Sequence, residues 1–329
     1  MKIARWTHGE TLGEGFVVDD EVVVFPDGQT VADVLRGGLR RAHDLYAAVD
    51  LSAGRPLRDV ALLPPLVPAS VRDFAVFEEH VEGMSADADG LSHVPEQWYR
   101  APTFYFTNPH AIYGTEAVIR PPATVRLDYE LEVAAVLGGD PGEDLDPVAA
   151  QERIFGYLIM NDWSARDLQS EEMNVRLGPA KGKDFATSLG PWIVTADELA
   201  DRIDADGFLA LRAEVFVNGR LTGADLLSNM AWNFGELVSY ASRASRVVAG
   251  DVLGSGTVGN GGCLAELWGL AGGALTPPPL AEGDVVTMRV ERLGELNGTV
   301  GPARAHPHLL PTARARPKPR ARTFAGPSA

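Results

Sequence analysis

From Val71 onward the chain is written as short strand-like runs, among them TVRLDYELEVAAVLG, PWIVTA, LRAEVFVNGRL, DVLGSGTVGNGG, CLAELWG and DVVTMRVERLGEL, separated by Gly, Pro and Asp. Many strands with glycine corners over more than two hundred residues predict a barrel, roll or sandwich. They argue against a doubly wound parallel sheet, in which helices follow most strands. Two stretches in this part read as helices, DPVAAQERIFGYLIMN and NFGELVSYASRAS. The expected fold class is therefore α+β, mostly β.

The start and the end of the chain differ from this pattern. The strand-like KIARW, GFVVDD and EVVVFP precede VADVLRGGLRRAHDLYAAVD, whose apolar residues recur at helical spacing. The Pro-rich ALLPPLVPAS then marks a boundary. This divides the chain into a small β-rich N-terminal domain over 1–68, a main domain over 69–301, and a basic, Pro/Arg-rich tail over 302–329 that reads as disordered. A net charge of -16 argues against nucleic acid as a partner, because phosphate binding needs a basic face. The single cysteine, Cys263, allows no intramolecular disulfide and no thiolate cluster. No apolar run approaches the roughly 20 residues of a membrane span, and MKIARWTHGE has no secretory apolar stretch. A cytoplasmic protein without membrane partners is expected.

The carboxylates carry the chemical signal. On a strand DYELEV would place Glu130 and Glu132 on one face. Such a pair is either the wet face of an edge strand or a site for a hard divalent cation, which turns like-charge repulsion into attraction. Asp162 closes the apolar run IFGYLIM, and a carboxylate there is paired, metal-bound or at a helix end. Asp73 and His80 lie seven residues apart, near enough for a bend or short helix to bring both to one site, though a loop histidine is the plainer alternative. Glu266, between Leu264 and Leu267 beside Trp268, looks buried and so needs a partner. The glycine-rich GSGTVGNGG is not read as a dinucleotide loop, because the CLAELW that follows is strand-like rather than helical. Its glycines would instead let backbone approach a ligand.

In order along residues 71–300, DFAVFEEH, YELEVAAVLG, NDWSARDLQ, LGPAKGKDF, GSGTVGNGG with CLAELWG, and LAEGDVVTMRVERLGEL resemble the fumarylacetoacetate hydrolase family. The resemblance implies a mixed β-roll/β-sandwich catalytic domain behind a small N-terminal β-rich domain, and a homodimer. It implies a divalent metal, Mg²⁺ with Ca²⁺ or Mn²⁺ as alternatives, held by Asp73, Glu130, Glu132 and Asp162. By the same resemblance His80 is the general base, Glu266 orients it, and Lys183 meets the developing oxyanion. Arg166, Gln169 and Thr257 are implied to hold a small anionic oxo-acid substrate. The implied activity is hydrolysis of a carbon–carbon bond in a β-diketo acid, such as an acylpyruvate or a fumarylacetoacetate-like compound. The alternative is a decarboxylase or isomerase of oxaloacetate or hydroxy-dienoate type. Ala75 and the Met173–Asn174 pair depart from the family's animal hydrolase, where substrate-touching aromatic residues stand. These departures weigh against fumarylacetoacetate itself. VEGMSADADGLSHVPEQWYRAP is the expected lid, and Tyr105 faces either the pocket or the core.

Overall fold

Among the described residues the strand-rich pattern becomes a 12-stranded and a 5-stranded sheet that share one apolar core, with two 2-stranded pairs beside them. The computed structural model describes residues 1–87, 89–305, 310, 311 and 313. Strands β1 (Lys2–His8), β2 (Thr11–Val18) and β3 (Glu21–Val24) form an antiparallel meander, followed by helix α1 (Val31–Ala48). A capping box between Thr30 and Asp33 starts that helix. There follow β4 (Ser70–Phe74), α2 (Glu78–Met84), β5 (Phe104–Thr107), β6 (Leu131–Leu137), β7 (Ile154–Asp162), α3 (Arg166–Met173) and β8 (Thr187–Thr195). The remainder contains β9 (Arg212–Val217), β10 (Arg220–Leu226), α4 (Phe234–Ser242), β11 (Asp251–Gly254), α5 (Leu264–Leu270), β12 (Val285–Val290) and β13 (Gly294–Val300).

Among the described residues the larger sheet has 12 strands, ordered Arg55–Pro56, β3, β2, β1, β8, β7, β6, β11, β4, β5, with two short strands pairing to its side. β1 joins β8 through Lys2↔Val194 and Ile3↔Ile193, so the N-terminal strands extend the same sheet that β6 and β7 belong to. The second sheet runs β10, β9, β12, β13 and Ala117–Ile119. This mostly β, mixed α+β architecture is the one the sequence predicts.

β6 and β7 lie in the middle of the large sheet and are covered on both faces. Leu131, Val133, Ala135 and Leu137 pack toward the second sheet. Ala134 and Val136 pack with Val34 and Leu35 of α1. Every residue of β7 is buried. Here the sequence reading is corrected. Within DPVAAQERIFGYLIMN the helix is confined to Pro147–Gln151, and IFGYLIMND is strand β7. A strand buried on both faces carries no alternation, so its apolar run mimics a buried helix. The second correction is CLAELWG, which is helix α5 and not a strand. Leu264, Leu267 and Trp268 have the three- and four-residue spacing of one helical face, but the run is too short for that period to stand out.

Among the described residues, no helix is long and apolar enough to cross a membrane. Of the basic tail, Arg304 donates to the Tyr113 hydroxyl at 2.8 Å. Arg314, Arg316, Lys318, Arg320 and Arg322 lie outside the described residues.

Candidate active site

Because β7, β6, β11 and β4 are neighbours in the sheet, carboxylates far apart in sequence meet at one place. Asp73 is on β4, Glu130 precedes β6, Glu132 is on β6, and Asp162 ends β7. All four are buried. Asp73, Glu130 and Glu132 each offer an oxygen within 4.8 Å of the other two. The edge-strand alternative for DYELEV does not apply, since β6 is an interior strand.

Two glycines make room for this cluster. Gly254 ends β11 opposite Asp73, and a Cβ there would stand 2.7 Å from Glu132 Oε2 and 3.0 Å from Asp73 Oδ1. Gly256 has φ +78, which a side chain rarely adopts. Its N–H donates to Glu132 Oε2 at 3.2 Å. Gly254→Ala is expected to weaken divalent-metal binding at least about 10-fold, as displacement of ligand-supporting groups does. Calorimetric titration with Mg²⁺ checks this, and unchanged affinity would show that the space is not the cation's.

Electrostatics divide the cluster in two. On one side Lys183 Nζ donates to Glu130 Oε2 and, at 2.6 Å, to Asp162 Oδ2. Arg166 Nη2 lies 2.7 Å from Glu130 Oε1. Burial opposes ionisation of Glu130, but the Lys183 ammonium and then the Arg166 guanidinium outweigh it and hold the carboxyl well below its usual range. Burial likewise opposes the Lys183 charge, and Asp162 and Glu130 outweigh it, so the ammonium is held above the ordinary lysine value. On the other side Asp73 and Glu132 are pushed well up, first by burial and then by neighbouring carboxylates: Asp162 for the former, Asp73 for the latter. Asp73 Oδ1, Glu132 Oε1 and Asp162 Oδ1 have no hydrogen-bond partner among the described residues. With Asp128, five buried carboxylates face two cations. An all-oxygen donor set with orphaned lone pairs, in which Asp73 and Glu132 resist ionisation for want of positive charge, fits a hard divalent cation.

Arg166 opens α3 and is fixed from three directions. Its Nε donates to Asp128 Oδ2 at 2.8 Å, and its Nη1 donates to Gln169 Oε1 at 3.0 Å. Asp128 in turn accepts the Leu264 and Ala265 N–H groups at 2.8 and 3.0 Å, at the start of α5. A helix therefore does follow GSGTVGNGG, contrary to the sequence reading, but Asp128 occupies the amide donors that a nucleotide phosphate would need.

His80 and Glu266 meet because α2 and α5 cross at glycines. A Cβ on Gly83 would lie 2.4 Å from Glu266 Cγ, and one on Gly269 would lie 1.9 Å from the Gly83 carbonyl oxygen. His80 Nδ1 stands 3.7 Å from Glu266 Oε2, just beyond hydrogen-bond length. The same Nδ1 is 3.7 Å from Cys263 Sγ. Gly269→Ala is expected to separate the helices and destabilise the protein by about 1–3 kcal/mol, measured by urea denaturation. A neutral result would mean that the crossing relaxes freely.

A cavity of about 440 Å³ opens onto Asp73, His80, Tyr105, Glu130, Lys183 and Thr257, a size suited to a small metabolite. Arg166 and Gln169 also line it, as do Ala75 and Met173. Glu132, Asp162 and Glu266 stand behind the wall. Tyr105 faces the pocket and its hydroxyl donates to Asp162 Oδ2. From the expected lid, Met84, Ser85 and Pro95 line the cavity, while Trp98 Nε1 donates to the Ala75 carbonyl at 2.6 Å. Sequence reasoning missed Asp128 and Cys263. Asp128 shares the spacing of Glu130 and Glu132, a signal that was available. Cys263 had none apart from its place three residues before Glu266.

Three comparisons bear on this site. A family model described as fumarylacetoacetate (FAA) hydrolase C-terminal matches residues 70–301. A fumarylacetoacetase of Arabidopsis thaliana is 30% identical over 281 residues, covering 69% of this chain and 66% of the plant protein. The chain thus spans just under two thirds of that relative. The oxaloacetate tautomerase YisK of Bacillus subtilis is 27% identical over 251 residues, 74% of each chain. Among solved structures, a fumarylacetoacetate hydrolase from Exiguobacterium antarcticum superposes with a TM-score of 0.71 at 27% identity, over 92% of this chain and 100% of that one.

Proposed function

The chain belongs to the fumarylacetoacetate hydrolase family, and from that premise we propose that it is a divalent-metal-dependent hydrolase cleaving a carbon–carbon bond in a small β-diketo acid. Relatives named as a fumarylacetoacetase and as an oxaloacetate tautomerase leave the reaction open within the family. The observation that carries the choice is His80. It lines the cavity with the Glu266 carboxylate 3.7 Å from its Nδ1, a spacing that a small shift closes to a hydrogen bond, and a histidine so oriented can accept a proton from water.

Asp73, Glu130, Glu132 and Asp162 would hold the metal, with Mg²⁺ as first choice and Ca²⁺ or Mn²⁺ as alternatives. When bound, the cation supplies Lewis-acid polarisation of the dicarbonyl oxygens. Arg166, Gln169 and Thr257 orient the substrate's anionic end on the cavity wall. His80 accepts a proton from water as the water oxygen bonds to a carbonyl carbon. The charge on that carbonyl oxygen is met by Lys183. Its ammonium has three donors, two of which serve Glu130 and Asp162, leaving one to turn into the cavity. The bond to the central carbon then breaks, its electron pair leaving as an enolate. The proton held by His80 returns to that enolate, giving two acids.

A second reading, decarboxylation or isomerisation of an oxo acid, is favoured by the 3.7 Å gap between His80 Nδ1 and Glu266 Oε2, since such reactions need no attacking water. The deciding experiment incubates chelator-stripped protein, with and without Mg²⁺, with acylpyruvates, fumarylacetoacetate and oxaloacetate. Release of two acids from a diketo acid, dependent on Mg²⁺, is expected. Turnover of oxaloacetate alone would overturn the hydrolase in favour of the second reading.

A further inference from the structure

We infer that His80 Nδ1, Cys263 Sγ and Glu266 Oε2 form a second metal site, selective for a zinc-class cation and distinct from the all-oxygen cluster. The three donors are a nitrogen, a sulfur and an oxygen, each within 4.8 Å of the others. Tetrahedral zinc bonds of about 2.0–2.3 Å imply donor–donor edges of about 3.3–3.7 Å. The Nδ1–Oε2 edge is 3.7 Å and the Nδ1–Sγ edge is 3.7 Å. Such a set closes on a cation with small side-chain movements.

The site also carries an unexplained polar group. Glu266 is 1% exposed, and its Oε1 accepts the Gly261 N–H at 2.8 Å. Its Oε2, facing His80 and Cys263, has no hydrogen-bond partner among the described residues. Cys263 holds the N-cap of α5, where its sulfur accepts the Glu266 N–H at 3.4 Å. Backbone geometry therefore fixes the sulfur beside the imidazole. His80 lines the cavity and gives a cation its way in. Binding exchanges the thiol proton for the metal, and that proton goes to solvent. Hard Mg²⁺ has little affinity for a thiolate and an imidazole, which prefer zinc, and a large excess of Mg²⁺ keeps the carboxylate cluster occupied while zinc fills the second site.

The consequence rests on the proposed role of His80 as base. A neutral imidazole has one acceptor nitrogen. Once the metal takes that lone pair at Nδ1, the other nitrogen carries the hydrogen and accepts no proton from water. Zinc would therefore switch off water activation while Mg²⁺ stays bound.

The test uses the full chain in saturating Mg²⁺, titrated with Co²⁺ as a spectroscopic stand-in for zinc. A near-ultraviolet thiolate-to-cobalt band that saturates at one equivalent and is erased by Zn²⁺ is expected in the wild type. Its absence there overturns the site without any variant. In Cys263→Ser, zinc affinity should fall about 100-fold or more, beyond what loss of a supporting group costs, while circular dichroism and Mg²⁺ affinity match the wild type. Equal zinc affinity in the two proteins would also overturn it. The activity arm is separate. Zinc bound at the thiolate with turnover undiminished would leave the site standing and refute His80 as the base.

Discussion

With His80 replaced by alanine, diketo-acid hydrolysis in zinc-free buffer and saturating Mg²⁺ is expected to slow by about 10²–10⁴-fold in kcat, with KM little changed. His80 is part of the cavity wall, but it stands outside the Asp73–Glu130–Glu132 cluster, so removing it leaves the carboxylate set complete. The loss should therefore fall on proton transfer and not on binding. Imidazole added to the buffer should recover part of the rate, because the truncation opens space beside a cavity of about 440 Å³. Steady-state kinetics with matched Mg²⁺ titrations separate the two effects. A decrease of less than about 10-fold would mean that water is not activated here, and would favour proton relocation or decarboxylation in the same cavity.

Lys183→Met is expected to destabilise the metal-free protein by about 3–5 kcal/mol, the usual cost of breaking a buried ion pair from one side. Lys183 is 2% exposed and its ammonium serves Glu130 and Asp162 together. Without it, Glu130 keeps only the Arg166 guanidinium among the contacts described, and Asp162 keeps the Tyr105 hydroxyl. Like charges would then face one another at low dielectric, next to Asp73 and Glu132. Urea denaturation of chelator-treated protein measures the effect, and adding Mg²⁺ should recover part of it by returning positive charge to the cluster. Lys181→Met is the contrast: its pair with Asp184 is on the surface, where screening leaves such bridges little weight. If both variants were equally stable, the charge balance drawn for the buried cluster would be wrong.

Several of these features were legible before any coordinates. Glycine-punctuated strands pointed to a mixed, mostly β fold, and YELE with NDWSARDLQ and GKDF pointed to the family that the matched model over residues 70–301 identifies. Asp162 announced its burial by the apolar run before it, where an unpaired charge is costly, whereas Glu130 and Glu132 showed a shared face by their two-residue spacing and left their burial open. Other features had no local signature. IFGYLIMND reads as a helix because a strand covered on both faces has lost its two-residue period, and α5 is shorter than two full turns.

By itself, then, the sequence determined a mostly β fold, its glycine corners, and a set of charged side chains, Asp162 and Glu266 among them, that would have to find partners. The tertiary structure decided who meets whom. Setting β11 between β6 and β4 brought Asp73 to Glu132, and the Gly83–Gly269 crossing brought His80 to Glu266 and Cys263. It also gave Asp128 the work of capping α5 and anchoring Arg166. Periodicity reports a residue's face within its own element, whereas convergence depends on strand order and helix crossing. Those are set by packing between segments distant along the chain, which local spacing does not encode.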